Sequence, residues 1–476
     1  MKTTRIVLVG LALVVVAAVG TWWWHAAARR DQVTAALPAP AVTPAWPEEL
    51  QARLEQARRR ARELTGPVKA LAELATLYHA NGFSLEATRC YAALEKLEPT
   101  EPRWRHRRAT LLAGFGESEV AAQLWREVGT LAPDYLAAQL RLADLLLKAN
   151  QTTAAIAAYE AVLRRAAGNP HALLGLARLD LEAGQWTEAR AKLENVVAKT
   201  NFALGYDLIV TVYEHFGEQA RAAEIRGRAK ASGTYYDVSD PWIEELMTDC
   251  YDGFRLTIGA GAAGRRGETA IARRLLERAV ALAPNETAAR FQLAGFLAEQ
   301  RDAAGAQRQW EKCTTLDPGF ADAWAQWAAS LQQMGDPKGA ERVVAAGLRA
   351  CPQSPGLWLM RARQQRVAGR SAETVAAYEA AISYRANEAD AFLELATTLF
   401  RLERIPEGLK RLAEGLEAEP EHPPTLALLA FYAITRGDET AARAWMVRVG
   451  RQPRVPRDQA EKLRQAFRER FGQATP

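Results

Sequence analysis

The sequence predicts an all-α solenoid, a row of stacked helical hairpins, and three observations predict it. The 476 residues are rich in Ala, Leu, Glu and Arg and hold few β-branched residues outside the N-terminus, a composition that favours helices. Prolines recur at intervals of 34 residues, and alanine and glycine recur at fixed positions of the same interval. An internal period of this length is typical of solenoids, in which each repeat packs against its neighbours.

The N-terminus begins with an apolar helix that we expect to cross a membrane. Residues 6–24 contain no charged side chain, and nineteen helical residues span roughly 28 Å, close to the ~30 Å hydrocarbon core. Tryptophans at residues 22–24 lie where interfacial aromatic residues belong, and Arg29 and Arg30 follow. We predict a signal anchor over residues 1–30, in an inner membrane with the body on the periplasmic side. A cleaved signal peptide is the alternative.

Shorter segments flank the repeats. Residues 31–47 are rich in Pro and Ala and predict a linker that holds the body away from the bilayer. Residues 48–67 and 457–476 read as charged amphipathic helices, with a short tail after the second. We expect them to cap the two apolar ends of the solenoid.

Two blocks of repeats occupy about four fifths of the chain. A 34-residue unit runs through five copies over residues 68–237 and through six copies over residues 253–456, without slippage inside either block. Position 8 is alanine in ten of the eleven copies and position 20 in nine, while position 15 is glycine in seven. Position 24 is mostly large. The prolines that set the frame, at position 32, are Pro99, Pro133, Pro284, Pro318, Pro352 and Pro420.

The repeated residue types have a direct structural reason. Small residues at positions 8 and 20 let two helices approach closely, glycine allows the tight turn between them, and proline ends the second helix. The pattern resembles the tetratricopeptide repeat (TPR), and residues 324–352, WAQWAASLQQMGDPKGAERVVAAGLRACP, are a near-complete example. The resemblance implies a TPR α-solenoid, a right-handed superhelix of helix-turn-helix pairs that binds a protein or an extended peptide.

One motif suggests a nucleotide site. Gly259, Gly261 and Gly264 form a GxGxxG pattern after a short β-like run, which is the order that a dinucleotide-binding turn needs. The repeat frame places all three glycines in the first helix of the sixth copy, and no alternation of strands and helices surrounds them. We therefore predict no cofactor here and expect a weak helix, because each interior glycine costs ~1 kcal/mol relative to alanine.

Residues 238–252 interrupt the register between the two blocks. Pro241 can begin a short helix in which Trp242, Ile243 and Leu246 share one apolar face. Three roles stay open for this insertion: a spacer whose tryptophan packs into the core, a hinge, or an element that docks a partner. Together with the glycines of the sixth copy, we expect it to form a soft joint.

Histidine and basic side chains recur on the wall of the expected groove. The resemblance assigns positions 2, 5, 9 and 12 of each copy to this wall. In the first block the residues at these positions include Lys69, His79, Arg103, His106, His171, Arg178 and His215. Such a groove suits an acidic peptide, with an affinity that rises below about pH 6.5 as the imidazoles gain a proton. Scattered, solvated side chains are the alternative.

The remaining residues exclude several classes of function. The four cysteines have no metal-ligand spacing, and no nucleophile elbow, P-loop or zinc-protease signature occurs. Residues 1–30 hold four of the 61 basic residues and none of the 56 acidic ones, so the other 57 basic residues balance the acidic ones. This balance gives no reason to expect nucleic acid as a partner.

We therefore predict a non-enzymatic scaffold or assembly factor that binds a protein or peptide partner at a bacterial-type membrane. We expect no metal, no cofactor and no small-molecule substrate. An accessory or substrate-presenting subunit of an envelope enzyme complex is the alternative.

Overall fold

The computed structural model describes the chain in five stretches, residues 2–39, 46–233, 238–384, 389–452 and 455–472, with the side chains of residues 2–12, 15, 231, 232 and 457 left out. The described residues form 26 α-helices and one 3-10 helix, as the composition predicts. The chain divides into two compact units, Met1–Pro284 and Asn285–Pro476. Both units are built from antiparallel helical hairpins.

The first unit contains a long N-terminal helix, a capping helix and six hairpins. α1 spans Lys2–Ala36 and α2 spans Glu48–Arg60. The first five hairpins are α3 (Pro67–Ala80) with α4 (Ser84–Leu97), α5 (Pro102–Gly114) with α6 (Ser118–Leu131), α7 (Leu136–Lys148) with α8 (Thr152–Arg165), α9 (Pro170–Glu182) with α10 (Trp186–Lys199), and α11 (Ala203–His215) with α12 (Gln219–Ser232). The unit ends with α13 (Pro241–Glu244), the 3-10 helix (Glu245–Asp249), and the sixth hairpin, α14 (Gly253–Arg265) with α15 (Thr269–Leu282).

The second unit contains five hairpins and a C-terminal helix. The hairpins are α16 (Thr287–Glu299) with α17 (Ala303–Leu316), α18 (Ala321–Gln333) with α19 (Pro337–Ala350), α20 (Pro355–Val367) with α21 (Ser371–Ser383), α22 (Ala389–Arg401) with α23 (Ile405–Ala418), and α24 (Pro423–Arg436) with α25 (Glu439–Arg451). The last helix, α26, spans Arg457–Phe471. Its Leu463 and Phe467 are buried against α24 and α25, so α26 covers the apolar end of this row of hairpins.

Small residues lie between the paired helices, where the repeat frame places them. Ala75 and Ala87 of the first hairpin are fully buried. Large residues at position 24 fill the space between neighbouring hairpins: the ring of Tyr159 on α8 packs against Gly175 on α9. A Cβ atom at Gly175 would lie 2.2 Å from Cζ of this ring, so the contact requires glycine.

The turn inside each hairpin uses a left-handed backbone residue. Gly82 in the first hairpin has φ +83°, a conformation that glycine adopts without strain. Asn150, Arg301 and Glu403 stand at the same turn position in three hairpins without glycine, and their φ angles are also positive, between 56° and 60°. The position is therefore defined by backbone geometry, which glycine satisfies most easily but not exclusively.

The fifth hairpin departs from the predicted frame by one residue. Its left-handed residue is Gly217, and α11 begins at Ala203, both one position earlier than a frame without slippage places them. Thr211, which that frame assigns to the small buried position, is exposed, whereas Ala222 is fully buried. The unslipped frame is thus corrected in this copy, because the loop before α11 is shorter.

The N-terminal helix continues into part of the predicted linker. Residues 31–36 are helical, and Val33 and Leu37 are buried in the cluster that α3 and α4 form. Residues 40–45 of the linker lie outside the described residues. So do the side chains of residues 6–12 in the predicted anchor. Within the part of the chain that the structure describes, no helix has the length and apolar character needed to cross a membrane.

Candidate functional site

The insertion between the two blocks folds back onto the first hairpins. Its residues 239–252, which we call the docked segment, contact α2, α3, α5 and α7. The last three are the first helices of hairpins one to three, the side that the sequence assigned to the groove, and we call this surface the first-block groove. The hydrogen-bond partners lie between 99 and 202 residues away in the chain. A long-range fold-back therefore fills the groove.

A buried carboxylate anchors the start of the docked segment. The Asp240 carboxylate is 2% exposed and accepts hydrogen bonds from the Tyr135 hydroxyl at 2.6 Å and from Nε of Arg141 at 2.6 Å. Nε2 of His106 lies 2.9 and 3.0 Å from its two oxygens. Burial alone would raise the pKa of Asp240, but the hydrogen bond from His106 and the charge of Arg141 outweigh it and hold the pKa well below its usual range. The segment therefore enters the groove as an anion.

The second ring nitrogen of His106 fixes the tautomer of this histidine. Nε1 of Trp125 lies 3.2 Å from Nδ1 of His106, and an indole nitrogen can only donate. Nδ1 must therefore accept, which leaves the proton on Nε2, where it is donated to Asp240. His106 therefore contacts the carboxylate through Nε2 and the indole of Trp125 through Nδ1, with both ring nitrogens in use.

Tyr135 holds two successive features of the docked segment. Its ring stacks on the indole of Trp242, with centroids 3.5 Å apart and planes 8° from parallel. Its hydroxyl donates to Asp240 and accepts a hydrogen bond from the backbone N–H of Trp242 at 3.0 Å. Tyr135 therefore contacts the Asp-Pro-Trp sequence in three ways. Its ring stacks on the indole, and its hydroxyl donates one hydrogen bond and accepts another.

Arg107 binds the next part of the docked segment. This side chain is 3% exposed, and its Nε donates to the carbonyl oxygen of Trp242 at 3.0 Å. Its Nη2 bonds the Glu245 carboxylate, and Nη1 of Arg103 lies 3.9 Å from the same carboxylate. Two arginines of α5 thus share one glutamate of the segment.

An asparagine side chain clamps the end of the docked segment by its backbone. Nδ2 of Asn81 donates to the carbonyl oxygen of Asp249 at 2.9 Å, and Oδ1 accepts from the N–H of Tyr251 at 2.6 Å. The Tyr251 hydroxyl donates to Glu49 of α2 at 2.7 Å, and Arg53 of α2 forms an ion pair with Asp249 at 2.8 Å. Asn81 therefore binds the main chain, whereas Glu49 and Arg53 bind side chains at this end of the segment.

Sequence profiles decide the family of the helical repeats that build this groove. Profiles of the tetratricopeptide repeat match residues 146–208, in the first unit, and residues 321–363, in the second. The chain contains tetratricopeptide repeats. This outcome confirms the resemblance on which the repeat frame was built.

Solved structures of repeat proteins are similar to this TPR protein at low identity. Yeast Tom70 is 15% identical, with 86% of this chain and 96% of that chain covered and a TM-score of 0.36. PilF of Pseudomonas aeruginosa is 14% identical, with coverages of 46% and 97% and a TM-score of 0.36. MamA of Desulfovibrio magneticus RS-1 is 18% identical, with coverages of 36% and 96% and a TM-score of 0.30. No curated protein sequence matches the chain.

The docked segment and the groove carry opposite charges. The segment has five acidic residues and no Lys or Arg, namely Asp240, Glu244, Glu245, Asp249 and Asp252. The groove arginines paired with its side chains are Arg103, Arg107 and Arg141, while Arg53, Arg255 and Arg266 pair with it from outside the groove. Complementary charge of this kind sets the register of a bound segment and disfavours basic competitors.

The structure brings together only part of the predicted groove set. Arg103 and His106 contact the docked segment directly. His171 and His215 lie in hairpins four and five, where they pack against Phe202 at 4.8 Å and Trp186 at 3.8 Å between ring centroids. The other three predicted groove residues are Lys69, which is exposed on α3, His79, which is buried on α3, and Arg178, which is half-buried on α9.

The predicted gain of affinity below pH 6.5 does not follow from His79 or His106. His79 is 7% exposed, and its Nδ1 lies 3.3 Å from the Tyr91 hydroxyl. Burial, together with the charge of Arg107, lowers the pKa of His79 to about 3. His106 already uses both ring nitrogens. His79 is therefore built into the packing of the groove wall as a neutral ring, and His106 is held there by both of its ring nitrogens.

The insertion and the glycine-rich helix also differ from the sequence-based picture. Of the three residues expected on one apolar face, Leu246 is buried, whereas Trp242 and Ile243 are half-buried. Gly259 lies inside α14, where a Cβ atom would come within 3.2 Å of the Met247 sulfur, so this glycine admits the docked segment. Gly261 lies nearest to the side chain of Arg265, its own neighbour on α14. The contacts join the insertion to its own chain, so the spacer, hinge and partner-docking roles all stay predictions.

Several contact residues were missed by the sequence analysis. Asn81, Tyr135 and Tyr251 occupy turn and linker positions that the repeat frame does not assign to the groove. Arg107 and Arg141 both stand at position 6 of adjacent copies, which the frame also leaves out. The sequence did contain a signal. The insertion has five acidic residues and no Lys or Arg, and copies two and three share an arginine at position 6.

Proposed function

We propose that this TPR protein is a non-catalytic, membrane-anchored scaffold whose first-block groove binds an acidic segment of a partner protein. One observation carries the proposal: the groove holds an acidic segment of its own chain by a carboxylate, an aromatic ring and the backbone together. Repeat proteins of this kind bind protein or peptide partners through extended surfaces. The groove offers such a surface with a defined chemical preference.

The groove contacts a bound segment through the main chain of the segment and through its side chains. Asn81 and Arg107 bind carbonyl and N–H groups of the main chain, which every peptide carries. The pocket around Asp240 and the ring of Tyr135 select side chains, an aspartate and an aromatic residue two positions later. A partner segment with this spacing would satisfy all of these groups.

The N-terminal helix supports a location at a membrane. The apolar run of residues 6–24 and the exposed tryptophans at residues 22–24 motivate the anchor, with the body on the periplasmic side of an inner membrane. Because α1 continues to Ala36 and its last turns pack on the first hairpin, such an anchor would hold the groove at a fixed distance from the bilayer. Partner proteins that lie near the membrane surface would then be close to the groove.

A synthetic peptide tests the binding chemistry of the groove. The peptide has the sequence of residues 238–252 with Cys250→Ser and a fluorescent label. It is titrated into the full chain carrying Asp240→Ala and Trp242→Ala, which weaken the internal occupant. We expect saturable binding, followed by fluorescence anisotropy.

Two control peptides test whether the binding is specific. Asparagine in place of aspartate at the position of Asp240 in the peptide should weaken binding about tenfold, because a hydrogen-bonded charge contributes about 1.5–3 kcal/mol. A scrambled peptide of the same composition should not bind. If the native peptide fails to bind a variant whose circular dichroism matches the wild type, the proposed groove function is wrong.

A further inference from the structure

The docked segment is buried most deeply at its two ends. Asp240 at the start and Cys250 and Tyr251 at the end are at most 5% exposed. Among the residues between them, Leu246 is buried, whereas α13 contains no buried residue and Glu245 and Thr248 are exposed. Displacement of the segment would expose Leu246 and Tyr251, so it requires an incoming segment that restores comparable contacts.

A cavity lies on the far side of the docked segment. Its volume is about 460 Å³, and residues of the segment, α14 and α15 line it. The lining includes Pro241, Glu245 and Met247 from the segment and Leu275 and Arg278 from α15. The segment still contacts the α14–α15 hairpin beside the cavity, because Glu244 pairs with Arg266 and the carbonyl oxygen of Thr248 accepts a hydrogen bond from Arg278. The cavity leaves the rest of this side unpacked.

The groove itself is costly to leave empty. Asn81, Arg107 and His106 are each at most 3% exposed and would lose hydrogen-bond partners if the segment left. Each buried polar group without a partner costs about 1–3 kcal/mol. Exchange of one occupant for another avoids this cost, provided that the incoming segment offers the same acceptors.

We propose that residues 239–251 are a displaceable internal ligand, which the groove exchanges for a partner segment that carries Asp-Pro-Trp and downstream carboxylates. The inference rests on the proposed function, since it requires a groove that binds such segments in trans. Because the docked segment belongs to the same chain, its effective concentration at the groove is high. A partner segment must therefore bind tightly enough to compete with it. Only a segment that matches the aspartate pocket and the Tyr135 ring would displace it.

Cys250 provides a direct reporter of displacement. Its thiol lies in the docked segment, is fully buried, and burial raises its pKa, so it should react slowly while the segment is docked. The experiment uses the full chain with Cys90→Ala, Cys313→Ala and Cys351→Ala, and a maleimide reagent. The labelling rate is measured with and without an excess of the Cys250→Ser peptide.

We expect the peptide to raise the labelling rate of Cys250 at least tenfold and the scrambled peptide to leave it unchanged. A matched chain whose single thiol is Cys313, buried in the second unit, should label at the same rate with either peptide. If the cysteine substitutions disturb folding, hydrogen exchange of residues 239–251 in the unmodified chain, with and without the peptide, gives the same readout.

The two proposals fail in different ways. If the peptide binds the Asp240→Ala, Trp242→Ala chain but leaves Cys250 labelling and hydrogen exchange of the wild-type segment unchanged, the segment is a permanent part of the fold and the displacement proposal is overturned. If the peptide binds neither chain, the proposed function is overturned as well.

Discussion

The Asp240 carboxylate lies 2.9 Å from Nε2 of His106, 134 residues earlier in the chain, and neither side chain is more than 2% exposed. This contact fixes the segment between the two repeat blocks to the second hairpin. It also explains why the insertion, which does not follow the 34-residue repeat, has a defined position. The predictions below test the consequences of this arrangement for stability, for pH dependence and for local motion.

Replacing the anchoring carboxylate should destabilise the first unit. Asp240→Asn removes the negative charge that Arg141 contacts and places an amide NH2 group, itself a donor, next to other hydrogen-bond donors. We therefore expect the free energy of unfolding to fall by about 2–3 kcal/mol. The measurement is urea denaturation followed by tryptophan fluorescence. Asp134→Asn is the matched control, because that carboxylate is 97% exposed and should change stability by less than about 0.5 kcal/mol. Equal effects of the two substitutions would contradict the buried anchor.

Acidification should weaken the fold through His79. Burial and Arg107 lower its pKa to about 3, so below pH 6.5 the unfolded chain binds a proton that the folded chain excludes. Stability should therefore fall as the pH drops from 6.5 towards 3, by about 1.4 kcal/mol per pH unit from this group. Asp240, whose pKa is lowered, keeps its full contribution above the unfolded value near 4 and should add to the loss only below that pH.

The substitution His79→Gln isolates this pH effect. The loss of stability between pH 7.5 and 5.5, measured by urea denaturation, should be smaller in His79→Gln than in the wild-type chain. His215→Gln is the control, because this ring is exposed. An unchanged pH slope in His79→Gln would show that His79 is protonated in the folded chain.

A glycine pair tests the packing between hairpins. Gly175→Ala places a Cβ atom 2.2 Å from the Tyr159 ring, and overpacking of this kind costs about 1–3 kcal/mol. Gly227→Ala lies in α12, where a Cβ atom would meet no described atom within 4 Å, so it should stabilise by about 0.5–1 kcal/mol. Thermal unfolding should therefore shift in opposite directions. Shifts in the same direction would contradict the assigned packing of Tyr159.

The glycine-rich helix should be locally weak for a backbone reason. Gly261 and Gly264 lie inside α14 and contribute no packing, so the double substitution to alanine should slow hydrogen exchange in this helix, each change adding up to ~1 kcal/mol. Gly259→Ala should not do so, because Met247 occupies the space beside it. Equal slowing by Gly259→Ala would mean that the docked segment does not approach α14.

The hairpins could be predicted from the sequence because their signals are local. Each helix and turn repeats a small set of residue types within one 34-residue copy, and the observed bounds follow that period in all copies but the fifth. There the loop before α11 is one residue shorter, and alternative small residues, Ala222 and Ala223, made the slip invisible in the sequence.

The occupant of the groove could not be predicted from the repeat frame. The contacts of Asp240 with Tyr135 and Arg141 join residues about a hundred positions apart, and none of the three belongs to a repeated groove position. The frame identified an acidic ligand as the suitable partner, and the chain carries one within its own insertion. Long-range pairing of this kind depends on how far the hairpin stack turns, which no single repeat encodes.

Hydrogen exchange across residues 239–251 of the full-length wild-type chain tests the central claim most directly. If the segment is docked in the first-block groove, the N–H groups of Trp242 and Tyr251, which bond to Tyr135 and Asn81, should exchange at least ~100-fold more slowly than in the free peptide. Exchange of these amides at the rate of the free peptide would contradict the account, because the groove would then stand open and the segment would be a flexible joint.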